Sequence, residues 1–164
     1  YDRPEIAAEE LPADAYRDDV AANLAVAERW VTEHSDTEFD FFLPPYSILF
    51  WDKVIREGRT EAVFAAIRQA GQTLLQYDNV KFYGYLMDPE IVTNLDNYCD
   101  YIHHSGGVCR EILAMLQREE GRLTEENLEE TLANWREFVV HYDYDQFWDE
   151  RFWIQWNAEH AAAP

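Results

Sequence analysis

The sequence is poor in cysteine, in positive charge and in long apolar runs. Two cysteines in 164 residues are too few for a disulfide framework. Cys99 and Cys109 read as free thiols, with pairing in an oxidising compartment as the alternative. Only 13 Lys and Arg stand against 33 Asp and Glu, a formal net charge of −20. A surface of that sign repels phosphate backbones and anionic lipid heads, so nucleic acid is discounted as a partner and no membrane contact is expected. A basic partner protein stays compatible with it. No apolar run approaches the ~20 residues of a membrane span. No secretory leader is present either: the chain opens Tyr1-Asp2-Arg3-Pro4, without an initiator Met, and reads as a mature product or a fragment.

What the sequence has in quantity is apolar surface. Hydrophobic residues make up 48% and aromatics 15%, too much for a disordered chain. The length fits one domain with a real core and is short for two. The acidity keeps such an aromatic-rich chain soluble.

Residues 1–13 form an N-terminal arm with two prolines. Val20, Leu24, Ala27 and Val31 recur at helical spacing, which predicts a helix over 14–34. Phe39 to Leu43 is a short aromatic run closed by Pro44-Pro45, and predicts a buried strand. Residues 47–57 and 61–77 read as helices, the second capped by Thr60. Asn79 to Leu86 alternates with period 2 and predicts a second strand. Asp88-Pro89 starts a helical turn with Asp at the cap and Pro at the first position. A polar loop, 94–107, leads to a helix over 108–118. Thr124 caps another helix running to about Val140, with Leu123 and Leu128 as its hydrophobic staple. The aromatic tail, Tyr142 to His160, reads as one more amphipathic helix.

Strands alternating with helices argue for parallel pairing. Two parallel strands are a poor unit alone, because parallel sheets are buried on both faces. Part of a larger sheet is therefore expected to come from a missing N-terminal segment or from a partner chain.

Ligands of open α/β sheets bind beyond the carboxyl ends of the strands. Pro44-Pro45-Tyr46-Ser47 and the 94–107 loop both fall there. Asp100 and His103 place a carboxylate and an imidazole three residues apart. An Asp so placed fixes the imidazole tautomer and leaves the other nitrogen to take a proton. The competing reading is a surface loop with a capping Asp and an incidental His. Ser47 is either a nucleophile in a rearranged triad or the N-cap of the helix from Ile48. Tyr46 is a candidate pocket residue, and Asn97 a candidate for ordering the loop or for binding substrate. Cys99, His103, His104 and Cys109 lie close together, but their spacing fits no common zinc pattern, so no metal and no cofactor are expected. Asp143, Asp145, Asp149 and Glu150 read as a solvated face and not as a calcium loop. The tail aromatics are either packing or a surface for sugars or a partner.

Phe41 to Ser47 and Asn94 to His103, with the fifty residues between them, together resemble the C-terminal half of an SGNH (GDSL-like) hydrolase-type family. The resemblance covers roughly residues 20–120. It implies a partial flavodoxin-like parallel sheet with flanking helices over 14–122, followed by a helical C-terminal extension over 123–164. It also implies His103 as general base and Asp100 as its orienter, acting on an acyl-glycan or small ester, in a bacterial periplasm or cell envelope. The sequence departs from that family in lacking Gly-Asp-Ser: its serines are Ser35, Ser47 and Ser105. The expected function is thus the acid–base half of an ester hydrolase or acyltransferase whose nucleophile lies elsewhere. The alternative is a non-catalytic acidic α/β binding or scaffolding domain.

Overall fold

The computed structural model describes residues 1–152, 154 and 155. Helix α1 (Arg17–Glu33) leads into strand β1 (Phe39–Phe42). Helices α2 (Ile48–Arg56) and α3 (Thr60–Leu74) cross over to β2 (Val80–Tyr83). A 3-10 turn (Tyr85–Met87) and the short α4 (Pro89–Val92) follow, then α5 (Gly106–Arg118), β3 (Arg122–Leu123) and α6 (Leu128–His141). A 3-10 turn over Tyr144–Trp148 comes after α6. The fold class is α/β, with a small mixed sheet ordered β1-β2-β3.

β1 and β2 run parallel, in a register from Phe39 opposite Val80 to Phe42 opposite Tyr83. Parallel strands need a crossover, and α2 with α3 provides it. The third strand is antiparallel: Phe82 faces Leu123 and Tyr83 faces Arg122. An all-parallel flavodoxin-like sheet is therefore not what these residues build. Gly121, at φ +70, makes the reversal into β3, where its carbonyl accepts from the Gly84 N–H at 2.9 Å. A left-handed conformation at that place favours glycine.

The main core lies on the face bearing Phe82 and Val80. Ile48, Trp51 and Val54 of α2 are fully buried there, with Phe64, Leu132, Trp135 and Val139. Their spacing along α2 puts all three on one stripe. α1 packs on α3, and both α2 and α3 pack on α6. A smaller cluster covers the other face of β2, where Tyr83 and Tyr85 lie under Val108, Ile112 and Met115 of α5.

Several local expectations need correction. Ser47 sits at the N-cap position of α2 without a side-chain cap bond, because its hydroxyl is engaged elsewhere. Thr60 is the first residue of α3, after Arg59, and caps nothing. Leu123 belongs to β3 and shares the main core with Leu128. Thr124 and Asn127 close a reciprocal pair, each side-chain oxygen accepting the other's N–H. β2 ends at Tyr83, short of Leu86, since Gly84 starts the 3-10 turn. The tail begins as a 3-10 turn, and Trp153 and residues 156–164 lie outside the described residues.

One buried carboxylate ties the arm to the body. Asp52 on α2 is 2% exposed. Arg3 donates to both of its oxygens at 3.0 Å, Arg56 to Oδ1 at 3.2 Å and the Tyr1 hydroxyl to Oδ2 at 3.1 Å. A buried charge is tolerated only with such partners. Removing the carboxylate leaves Arg3 with Asp145 and Arg56 with the Pro4 carbonyl, so Asp52→Ala is expected to lower unfolding free energy by about 3 kcal/mol. Chemical denaturation measures it, and limited proteolysis should show faster cleavage within residues 1–11.

Candidate functional site

The register of β1 against β2 brings both polar segments out on the same side of the sheet. Pro44-Pro45 ends β1, because proline cannot continue a ladder. The chain leaving β2 turns through α4, where the Asp88 side chain accepts from the Glu90 and Ile91 N–H groups, a capped start with Pro at the first position. It then forms a 3-10 turn, Leu95–Asn97, and a tight loop closed by an antiparallel bridge between Tyr98 and His104. The Cys99 N–H donates to the His103 carbonyl across this loop at 2.9 Å.

Asp100 sits at the tip. Its Oδ1 accepts from the Ile102 N–H at 2.8 Å and the His103 N–H at 2.7 Å, and its Oδ2 lies 2.7 Å from His103 Nδ1. These bonds favour the charged carboxylate, the His103 N–H most, and hold Asp100 at about 2 against an ordinary 3.8. With Nδ1 donating to a carboxylate, Nε2 is the accepting nitrogen. Both side chains are open to solvent: the imidazole is 76% exposed and the carboxylate 47%.

The loop is pinned to the segment after β1. The Ser47 hydroxyl donates to the Tyr101 carbonyl at 2.9 Å, and the Ser47 N–H donates to the same oxygen at 3.2 Å. The Tyr98 hydroxyl donates to the Pro45 carbonyl at 2.8 Å, and burial pushes its ionisation up. Asn97 Nδ2 donates to the Ile91 carbonyl at 2.9 Å, while its own carbonyl accepts from the Ser105 N–H at 2.7 Å. Tyr46 packs its ring on Phe50 with centroids 5.0 Å apart.

Among the described residues, no hydroxyl or thiol is hydrogen-bonded to His103. Ser47 is fully buried with its hydroxyl committed. Ser105 accepts from the Val108 N–H as the cap of α5. Ser35 follows α1, ahead of β1 and so at the opposite end of that strand. Cys109 Sγ lies 3.6 Å from Nδ1 of the neighbouring His104, and both cysteines are free thiols. No group of three His, Cys, Asp or Glu residues suited to a metal ion forms among the described residues.

A concavity that sequence reasoning missed lies beyond the carboxyl end of β2. A hollow of about 340 Å³ is lined by Gly84, Tyr85, Met87, Asp88, Gly121 and Leu123, among others. A second, of about 260 Å³, shares Met87, Pro89 and Thr131 with it and reaches Trp135 and Phe138 on α6. Gly84 keeps the first one tight, since a Cβ there would meet Met87 Cε at 2.7 Å. Tyr85 and Trp135 each line one of these hollows with other atoms, while the Tyr85 hydroxyl and Trp135 Nε1 are buried away from solvent and have no hydrogen-bond partner among the described residues. Burial pushes Tyr85 up to about 12. The two glycines flanking Tyr85 and Arg122 were the signal available in the sequence, but nothing there indicated that β3 would bring them together.

No family model matches the chain, and no solved structure matches it. Two curated proteins do: the UPF0735 ACT domain-containing proteins of Lacticaseibacillus casei (strain BL23) and Lacticaseibacillus paracasei (strain ATCC 334). Each is 24% identical over 90 residues, which are 55% of this chain and 62% of the relative. The chain thus spans less than two thirds of the length of the curated relatives it matches. These findings correct the resemblance to the SGNH hydrolases. The proteins that share sequence with this chain are named for an ACT domain, a different fold family, and neither is an SGNH or GDSL protein. The assignment as half of an ester hydrolase or acyltransferase is corrected with it. The ester substrate and the envelope location had no support beyond that resemblance.

Two expectations follow from the loop. Ser47→Ala should cost about 1 kcal/mol, the net value of one hydrogen bond, and speed amide exchange at Ile102 and His103 while leaving the helical circular dichroism unchanged. Asp100 has a lowered folded pKa, so its contribution to stability is present above pH 3.8 and is lost as pH falls toward 2. A carbon-detected titration of the Asp100 carboxyl checks this, and Asp100→Asn should remove the step.

Proposed function

We propose that this chain is a non-catalytic binding domain of α/β type, with its ligand seat in the joined hollows between the end of β2, β3 and α6. The observation that carries the reading is the concavity itself: two adjoining hollows share Met87, Pro89 and Thr131 and lie between the end of β2, β3 and α6. Met87, Leu123 and Phe138 add apolar wall. The ligand class that fits is a small molecule with an apolar body.

The state of Ser47 supports the non-catalytic part. Its hydroxyl is spent on Tyr101, so the Asp100–His103 pair has no nucleophile to activate within the described residues. In this reading the pair is a fixed recognition group, whose exposed Nε2 accepts a hydrogen bond from whatever docks there. Ser47 and Asn97 order the loop that presents it. The curated relatives are named for a domain and not for a reaction, which agrees with a binding role.

A serine-reactive fluorophosphonate is expected to label nothing, and His103→Ala to leave hydrolysis of a simple nitrophenyl ester at background. Labelling of Ser47 would overturn the reading. Tyr85→Phe removes an orphaned hydroxyl and should raise unfolding free energy by about 1 kcal/mol. Thr131→Trp, at a position that lines both hollows, should weaken several-fold any small apolar compound that raises the melting temperature of the unaltered chain.

A further inference from the structure

The sheet is left open along β1. β1 is an edge strand that pairs with β2 alone among the described residues. Its Phe39 and Leu43 N–H groups donate toward β2, to Asn79 and Tyr83 carbonyls at 2.8 and 2.9 Å. Main-chain groups alternate sides along a strand in a sheet. The N–H and carbonyl groups of Asp40 and Phe42 therefore point away from β2, and they have no partner among the described residues.

The side chains above that edge are uncovered as well. Asp40 and Phe42 are exposed, the Phe42 side at 41%. Tyr83, beside them on the same face, is fully buried beneath α5. Among the described residues the cover by α5 thus lies over β2, and Phe42 is left half-exposed with its ring 5.9 Å from that of Tyr85. Natural edges are usually blunted by lysine, proline or a bulge. Phe39 to Phe42 carries none of the three.

We propose that the free edge of β1 takes up an extended segment of a partner polypeptide in which apolar and basic side chains alternate. Charge decides the occupant. Asp40 has no ion-pair partner among the described residues, and Glu38 stands next to it, bound to Lys81. A second copy laid on β1 would bring its own Glu38 and Asp40 against these, between two chains of net charge −20; like charges placed opposite one another destabilise a sheet. A strand with lysine or arginine on that face instead pairs with Asp40 and sets a cation over the Phe42 ring. Its apolar side chains extend the face formed by Phe39 and Phe41. Main-chain bonds give affinity and alternate side chains give selection, as in strand addition generally. The edge lies on the far side of β2 from the hollow at β3, so this inference is independent of the ligand proposed there.

The test uses the full chain and a short labelled peptide of alternating valine and lysine, with the valine–glutamate peptide as its counterpart. The lysine peptide should bind, and at saturation should slow amide exchange at Asp40 and Phe42 by about tenfold, the effect of a bond worth ~1.4 kcal/mol. Asp40→Pro removes an outward N–H that the fold does not use, and should weaken binding by about tenfold. Asp40→Lys keeps the backbone and should reverse the preference toward the glutamate peptide, which tests the inference even if the proline variant fails to fold. Binding that leaves the Asp40 and Phe42 amides unprotected would overturn the proposal, as would equal affinity for both peptides or for neither. A dimer that protects these amides without peptide would overturn the basic partner in favour of self-pairing.

Discussion

Two parallel strands in level register send their following segments out on one side of the sheet. In this chain the pairing of Phe39–Phe42 with Val80–Tyr83 sets everything that comes after each strand. It forces α2 and α3 into the crossover. It places Pro45 and Ser47 within reach of Tyr98 and Tyr101, fifty residues later. It puts the turn at Gly84 where β3 closes over it. It also leaves β1 without a neighbour on its outer side. Ordered loop, hollow and open edge are three results of one pairing.

The loop shows how geometry and chemistry can separate. Asp100 and His103 stand at 2.7 Å, the arrangement that orients an imidazole in acid–base catalysis. Catalysis further requires a nucleophile at the other nitrogen and a site shielded from water. The imidazole here is mostly exposed, and Ser47, the serine that follows β1, spends its hydroxyl on the loop's own backbone. The hydrogen bond that orders the loop is the one that removes Ser47 from chemistry. Under the binding role proposed above, an oriented, accessible imidazole without a nucleophile serves recognition.

Much of the architecture was legible because it is written in local patterns. The period of Val80 to Tyr83, the Pro44-Pro45 stop and the Asp88-Pro89 start are signals of one or two turns, and the structure builds the strand, its end and the capped turn there. What was not legible depends on distant partners. Arg122–Leu123 is too short to show a strand period, and becomes one only because Phe82 and Tyr83 offer it an edge. Ser47 looks like a cap by position, but a carbonyl 54 residues away competes for its hydroxyl and wins. Asp52 reads as an ordinary charge on α2 until Arg3 folds back onto it. The resemblance to a hydrolase family came from short strings around β1 and the loop, which fixed neither the strand directions nor the relatives.

The charge balance constrains what the domain can meet. All the Lys and Arg residues except Arg29 and Arg110 sit in ion pairs among the described residues. Most of these pairs are on the surface, where each is worth ~1 kcal/mol or less. Their main consequence is therefore electrostatic rather than structural. With its cations already neutralised, the molecule presents a nearly uncompensated anionic exterior to any partner. Such a field speeds the approach of basic surfaces and slows that of acidic ones, including other copies of itself. The open edge at Asp40 and Phe42 would be an aggregation hazard on a neutral protein. On this one, a net charge of −20 opposes pairing between copies, and the same charge is what the proposed basic strand would answer.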